Sequence, residues 1–211
     1  MLIYWTIYHL ILARFFKIWS KNVQIHSILH CISSTLWASY ILYVYLGREV
    51  LDTNYIKYIP SLTDNDIQVI IKACTYSLGY FMADTLDIII DYTNVKRRVY
   101  IIHHLVAMLG IYWNPSLAIY AIWCLEIGGI VHHLKHASEV NEFGTLFYIL
   151  SHLLYHIVYL SSRLLLNITL INGISFGISF SDIIGMIVGF TLLFQNYLWW
   201  WRNLKRSLLD Y

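Results

Sequence analysis

Charge is what this sequence has least of. Only 12% of its 211 residues are charged, 14 Lys+Arg and 12 Asp+Glu, about half the share of a soluble domain. With 59% hydrophobic residues and a mean hydropathy of +0.60, that scarcity excludes a soluble globular domain and a disordered chain. Cysteine is also sparse. Cys31, Cys74 and Cys124 all lie inside apolar runs, and an odd number placed there excludes a disulfide framework. They read as small packing residues. Segments of about 10 residues alternating in polarity, the mark of an outer-membrane barrel, are missing. The net charge of +2 carries no nucleic-acid message, because the basic residues sit mostly between apolar runs.

What is present is a series of apolar stretches long enough for membrane helices, each needing about 20 residues. Six read easily: residues 25–46, 67–91, 99–113, 116–133, 145–171 and 178–201. A seventh, residues 2–19, is shortened by Arg14 and Lys17 and is either a span or an interfacial helix. It lacks a basic n-region and a small-residue cleavage site, so it is not read as a removable signal peptide. The expectation is an all-α polytopic bundle of 6–7 spans. Residues 1–21 form the N-terminal hydrophobic segment, 22–206 the transmembrane domain and 207–211 a short tail. Residues 99–113 and 116–133 are separated by Asn114-Pro115, a turn signal, and form a hairpin.

Basic residues set the orientation. Alternate loops hold Arg14, Lys17, Lys21, Lys96, Arg97, Arg98, Lys135, Arg202, Lys205 and Arg206, against Arg48 and Lys57 in the others. The positive-inside rule makes the first set, and the C-terminus, cytosolic. Trp199, Trp200 and Trp201 before Arg202 read as an interfacial aromatic belt. The sequon Asn167-Ile168-Thr169 falls too close to the membrane for ready glycosylation. Gly173, Gly177, Ser181, Gly185 and Gly189 recur every four residues. Such spacing lets helices approach closely, within the bundle or, through the Gly185/Gly189 face, in a homo-oligomer.

Ionisable residues inside a hydrocarbon layer are expensive and mark function by default. A rise of about 1.5 Å per residue puts His30, Asp84, His103, His104, Glu126 and His152, from five spans, at similar depths in the cytosolic half. All histidines but His9 sort to that half, which suggests a polar chamber open to the cytosol. His152, His156, Tyr159 and Arg163 share one helix face, as do Asp84, Asp87 and Asp91, and Glu126 with His133. Gly129, on the Glu126 face, leaves room for something to approach. Arg163 falls about 27 Å from the cytosolic edge, where a long side chain can snorkel to the far interface. The sharpest local feature is His103-His104, following the Asp84 span and the basic loop Lys96-Arg97-Arg98. Each stripe has a plainer reading as an internal hydrogen-bonded seam. The spacings His26-x3-His30, His132-His133-x2-His136 and His152-x3-His156 also resemble the histidine boxes of di-metal membrane oxygenases. The middle one runs in reverse order, and that reading is the outsider; no metal ligand is assigned.

Several segments together resemble the TLC-domain superfamily of ceramide synthases and translocating-chain-associating membrane proteins. They are His26-Ser27-Ile28-Leu29-His30, the run Leu78 to Asp87, Ile102-His103-His104-Leu105-Val106-Ala107, Glu126-Ile127-Gly128, Tyr159 to Arg163, and the aromatic close from Asn196 to Trp201. Where ceramide synthases carry Arg-Ile-Gly-x2-Val and then His-Asp-x-Ser-Asp, this chain has Glu126-Ile127-Gly128-Gly129-Ile130-Val131 and then Lys135-His136-Ala137-Ser138-Glu139. It is more similar to the small TLC-only members.

The resemblance implies an endoplasmic-reticulum protein that acts on or handles membrane lipids. One class is an acyltransferase of ceramide-synthase type, with acyl-CoA as co-substrate and no resident cofactor. His103 or His104 would act as base or acyl acceptor, oriented by Asp84, with the other ring nitrogen free for proton transfer. Glu126, His133, His152, His156 and His30 would line the substrate chamber, and Lys96, Arg97 and Arg98 would hold the CoA phosphates. The alternative class is a non-catalytic lipid-binding regulator of membrane composition.

Overall fold

A computed structural model of the chain describes residues 1–19, 25–45, 63–90, 99–113, 115–140, 144–163, 165 and 180–209. These residues are all helical apart from short caps, with no strand among them. The helices are α1 (Leu2–Trp19), α2 (Ile25–Tyr45), α3 (Asp64–Ile90), α4 (Val99–Trp113), α5 (Pro115–Val140), α6 (Thr145–Leu154) and α7 (Phe180–Leu209). α6 continues through a π-helical turn, Tyr155–Tyr159, so that the whole helix runs Thr145–Arg163. α3 opens on a capping box, in which Thr63 accepts from the amide of Asp66 and the Asp66 carboxylate accepts from the amide of Thr63 at 2.8 Å.

Side-chain contacts fix the helix directions. Ser33 meets Tyr76 while Ser27 meets Tyr80, so α2 and α3 are antiparallel. Ser39 with Trp123, and Cys31 beside Gly129, set α5 against α2. Ser138 with Ser151, and Ser162 beside Gly128, set α6 against α5. Gly110 beside Val188 and His103 beside Trp199 set α7 against α4. α1 runs along α3 in the same sense, from Trp5 beside Gly79 to Arg14 beside Asp87. Arg14, Lys17, Lys135, Arg202 and Lys205 all gather toward one pole.

α5 is the axis. It is the helix whose described residues expose no large hydrophobic side chain, whereas α1, α2, α3, α4, α6 and α7 each do. Ile3, Leu36, Ile90, Ile102, Leu146 and Phe194 all point outward. The interior meanwhile holds His9, His30, Asp87, His104, Glu126, Lys135, Arg163 and Asn196, all buried. So many buried titratable side chains beneath an apolar exterior depart from the usual soluble distribution. Two helices, Ile25–Val44 and Thr145–Arg163, are long and apolar enough to cross a membrane, and Tyr100–Tyr112 is apolar but shorter.

A conventional apolar core fills the other end, where Ile41, Leu42, Ile70, Ile111, Ile119 and Ile122 pack together. The three cysteines are free and buried, as expected of packing residues. Gly189 is buried within the single chain; Gly173 and Gly177 lie outside the described residues.

Candidate functional site

α3 and α4 bring Asp84 and His104 together. Nε2 of His104 lies 3.5 Å from a carboxylate oxygen of Asp84, with the histidine buried and the aspartate about three-quarters so. The other ring nitrogen, Nδ1, is 3.3 Å from the hydroxyl of Thr85. That hydroxyl donates to the carbonyl of Phe81 at 2.7 Å, one helical turn back, so toward His104 it can only accept. Nδ1 therefore carries a hydrogen, and Nε2 faces Asp84. Asp84 and His104 thus approach each other with the imidazole orientation set from its other side. The expectation of a second, free nitrogen on His104 is corrected by Thr85, whose hydroxyl is already committed to the helix backbone and holds Nδ1 in place.

His103 points elsewhere. It sits about 100° around the helix from His104, half-buried against Trp199 with ring centroids 5.1 Å apart. Its Nδ1 is buried without a hydrogen-bond partner. Gln195 on α7 makes a side-chain hydrogen bond with the His103 ring.

A second polar group forms where α1, α2, α3 and α5 meet. Nε2 of His30 lies 3.4 Å from a carboxylate oxygen of Glu126, both buried. The His30 ring stacks face to face on Tyr80 at 3.7 Å and 6°, and Ser34 lies 3.3 Å from its edge. Tyr80 donates to Ser27 at 3.0 Å. Phe81 spaces the two groups, its ring 6.0 Å from His30 and 5.4 Å from His104. His133, two turns beyond Glu126, is half-buried and within electrostatic reach of it.

His9 belongs here too, against expectation. It is 1% exposed, its Nδ1 is 3.0 Å from Nε2 of His26, and its ring lies 5.5 Å from that of His30. Sequence alone sets His9 apart because α1 is only marginally apolar. Packing of α1 along α3 puts mid-helix His9 into the same layer.

The third group lies at the basic pole. Lys135, buried at 5% exposure, pairs with Glu139, and His152 approaches the same carboxylate at 3.5 Å. Lys135 also reaches Asn203 at 3.3 Å. A hydrogen bond from His136, reinforced by Lys135, holds the Glu139 carboxyl down at about 2.

The predicted residues thus fall into separate groups. Asp84 joins His104, His30 joins Glu126, and His152 joins Glu139, each from a different pair of helices. Asp87 turns away from Asp84 and binds Arg14 at 3.5 Å and Lys17 at 3.8 Å. On α6 the buried line is Tyr155, Tyr159 and Arg163, while His152 and His156 are half-buried. The i→i+5 bonding of the π turn inserts a residue and re-aims the side chains. The space above Gly129 is taken by Cys31, whose sulfur would lie 2.8 Å from an added Cβ. Arg163 does not snorkel outward: it is 8% exposed, with its guanidinium 4.7 Å from the Tyr159 ring. The bundle around α5 shields it from the exterior. Lys96, Arg97 and Arg98, read as the CoA contact, lie outside the described residues.

The three histidine spacings do not gather at one point. His26 meets His9 and His30 meets Glu126, while His136 and His152 both approach Glu139. Among the described residues, no three His, Cys, Asp or Glu side chains converge as metal ligands would. Sequence reasoning misses His9, Cys31, Tyr80 and Thr85. Thr85 is the most accessible of these, since a hydroxyl beside a suspected acid is an obvious orienting group. Comparison with protein-family models, with curated proteins and with solved structures finds no match to this chain.

Proposed function

We propose that this chain is a multi-pass membrane protein of TLC type, with 6–7 spans and a cytosolic C-terminus, that handles or acts on membrane lipid in the endoplasmic reticulum. The carrying observation is an apolar exterior around buried titratable groups. Six helices turn large apolar side chains outward, and the interior holds histidines and carboxylates at 1–8% exposure. In water, apolar faces on so many helices would drive association. In lipid they are solvated, and the interior polar groups become the costly and therefore purposeful feature. The gathering of basic residues at one pole fits a cytosolic side.

The chemical step that fits the site is N-acyl transfer. A lipid amine attacks the thioester carbonyl of acyl-CoA, the C–S bond breaks, and the thiolate leaves. The proton lost by the amine passes to a histidine and on to the departing sulfur. His103, adjacent to the Asp84–His104 pair, is suited to that proton. The alternative is a non-catalytic lipid-binding regulator. It is favoured by Glu126, which stands where ceramide synthases carry arginine and is closed against His30 at 3.4 Å.

Lipid profiling of cells expressing the wild type, beside cells expressing a His103→Ala/His104→Ala variant, tests the reading. New N-acylated lipid that vanishes in the variant supports transfer. A change in lipid composition that survives the variant supports the regulator. No change with either protein contradicts lipid handling altogether.

A further inference from the structure

α6 and α7 carry a set of buried polar atoms that the site above does not use. Arg163 is 8% exposed, yet its Nε and Nη1 have no hydrogen-bond partner. Asn196 is 2% exposed, and its side-chain nitrogen is likewise without one. Tyr159 ties the two residues together. Its hydroxyl donates to the amide oxygen of Asn196 at 3.3 Å, and its ring lies under the guanidinium at 4.7 Å. One turn further along α7, the indole nitrogen of Trp200 is a fourth buried atom without a partner.

All of these unpartnered atoms are donors. A guanidinium nitrogen, an amide nitrogen and an indole nitrogen give hydrogen bonds and accept none. Leaving them unmet in a low-dielectric interior is costly. Internal neutralisation is incomplete as well. Glu126, a buried carboxylate in electrostatic reach of Arg163, makes its close contact with His30 instead. Gly128 permits the arrangement: a Cβ there would stand 2.8 Å from the Ser162 hydroxyl and 3.3 Å from the guanidinium carbon.

We infer that Arg163 and Asn196, bridged by Tyr159, form a binding site for an anionic, acceptor-rich group, a carboxylate or phosphate, on a ligand that enters the bundle. The inference deepens the lipid-handling reading and rests on it. An arginine fork and a neighbouring amide match the planar carboxylate and the phosphate alike. The group belongs either to an amphiphile with an apolar chain or to a soluble anion.

Three probes separate these sources. Full-length protein in a neutral detergent is titrated with oleate, with oleyl alcohol, which has the same chain and no charge, and with inorganic phosphate, while the thermal unfolding midpoint is followed. Oleate should raise the midpoint saturably and oleyl alcohol should not. Phosphate raising it as oleate does would support the site and assign it to a soluble anion. R163Q should weaken the apparent affinity by about tenfold or more, R163K should retain part of it, and N196D should abolish the response by repelling the anion. Should R163Q fail to fold, the contrast between R163K and N196D separates the same outcomes. Equal responses to oleate and oleyl alcohol, or a full anion response in R163Q or N196D, would overturn the inference. A lipid change in cells together with no anion response would sink this site and leave the functional reading standing. The anion response without any lipid change in cells would do the reverse.

Discussion

The hydroxyl of Thr85 stands 3.3 Å from Nδ1 of His104 while donating its own hydrogen to the carbonyl of Phe81 at 2.7 Å. One residue thereby fixes which nitrogen of His104 is protonated and turns the other toward Asp84. Thr85→Val removes the acceptor and leaves a buried N–H without one, a loss of about 1–3 kcal/mol. Thr85→Ser should be nearly neutral. Unfolding midpoints of the purified variants check this, and a valine variant as stable as the wild type would remove the argument for the tautomer.

The helix directions make a topological prediction. Thr63 opens α3 and Ser207 lies near the end of α7, at opposite poles of the bundle. Single cysteines placed at these two positions should be labelled by impermeant reagent from opposite sides of the membrane. The three native cysteines are buried and should label slowly from either side. Labelling of both engineered positions from one side would overturn the span count.

α1 docks on α3 through Gly79, where an added Cβ would stand 2.5 Å from the Trp5 Cβ and 2.9 Å from the Trp5 backbone carbon. Backbone cannot move aside cheaply, so Gly79→Ala should cost about 1–3 kcal/mol and loosen α1 from the bundle. At Gly129 the obstructing atom is the Cys31 sulfur, a side-chain atom, so Gly129→Ala should cost less. Limited proteolysis of the α1–α2 connection reads the difference. Equal protection in the two variants would contradict it.

Much of this fold is legible in the sequence. The stretch 99–113 matches α4, and 25–46 differs from α2 by one residue, because apolar runs bounded by polar ones define helices strongly. The apolar run in α5 predicts an end at His133, but the helix continues to Val140. The reason is that Lys135 and Ser138, polar and expected in a loop, are buried by pairing with Glu139 and Ser151. The Asp84–His104 pair is also legible, since only a short loop separates their helices. Helix rotation is not. Whether Asp87 faces Asp84's partner or α1, and whether Arg163 faces lipid or the interior, depends on neighbours far away in the chain. The π turn in α6 leaves no mark in the spacing of residues at all.

Glu139 lies at the end of α5, beyond the apolar stretch, and predicts a pH dependence. A hydrogen bond from His136, together with Lys135, holds its carboxyl at about 2, against an ordinary 4.5. A carboxyl whose folded value is depressed contributes stability above its unfolded value and loses it as pH falls through the folded one. Its contribution should therefore be complete above about pH 4.5 and fade toward pH 2. Glu139→Gln should flatten that part of the curve of midpoint against pH. A variant with an unchanged acid limb would contradict the pairing.

The central claim is that Asp84 and His104 act as one unit. The most direct test is the lipid phenotype per unit of folded protein for Asp84→Asn, His104→Ala and the double variant. Residues that act together lose their effect together, so each single variant should abolish the phenotype and the double should be no worse than either. Additive partial losses, or losses fully explained by protein abundance, would contradict the claim.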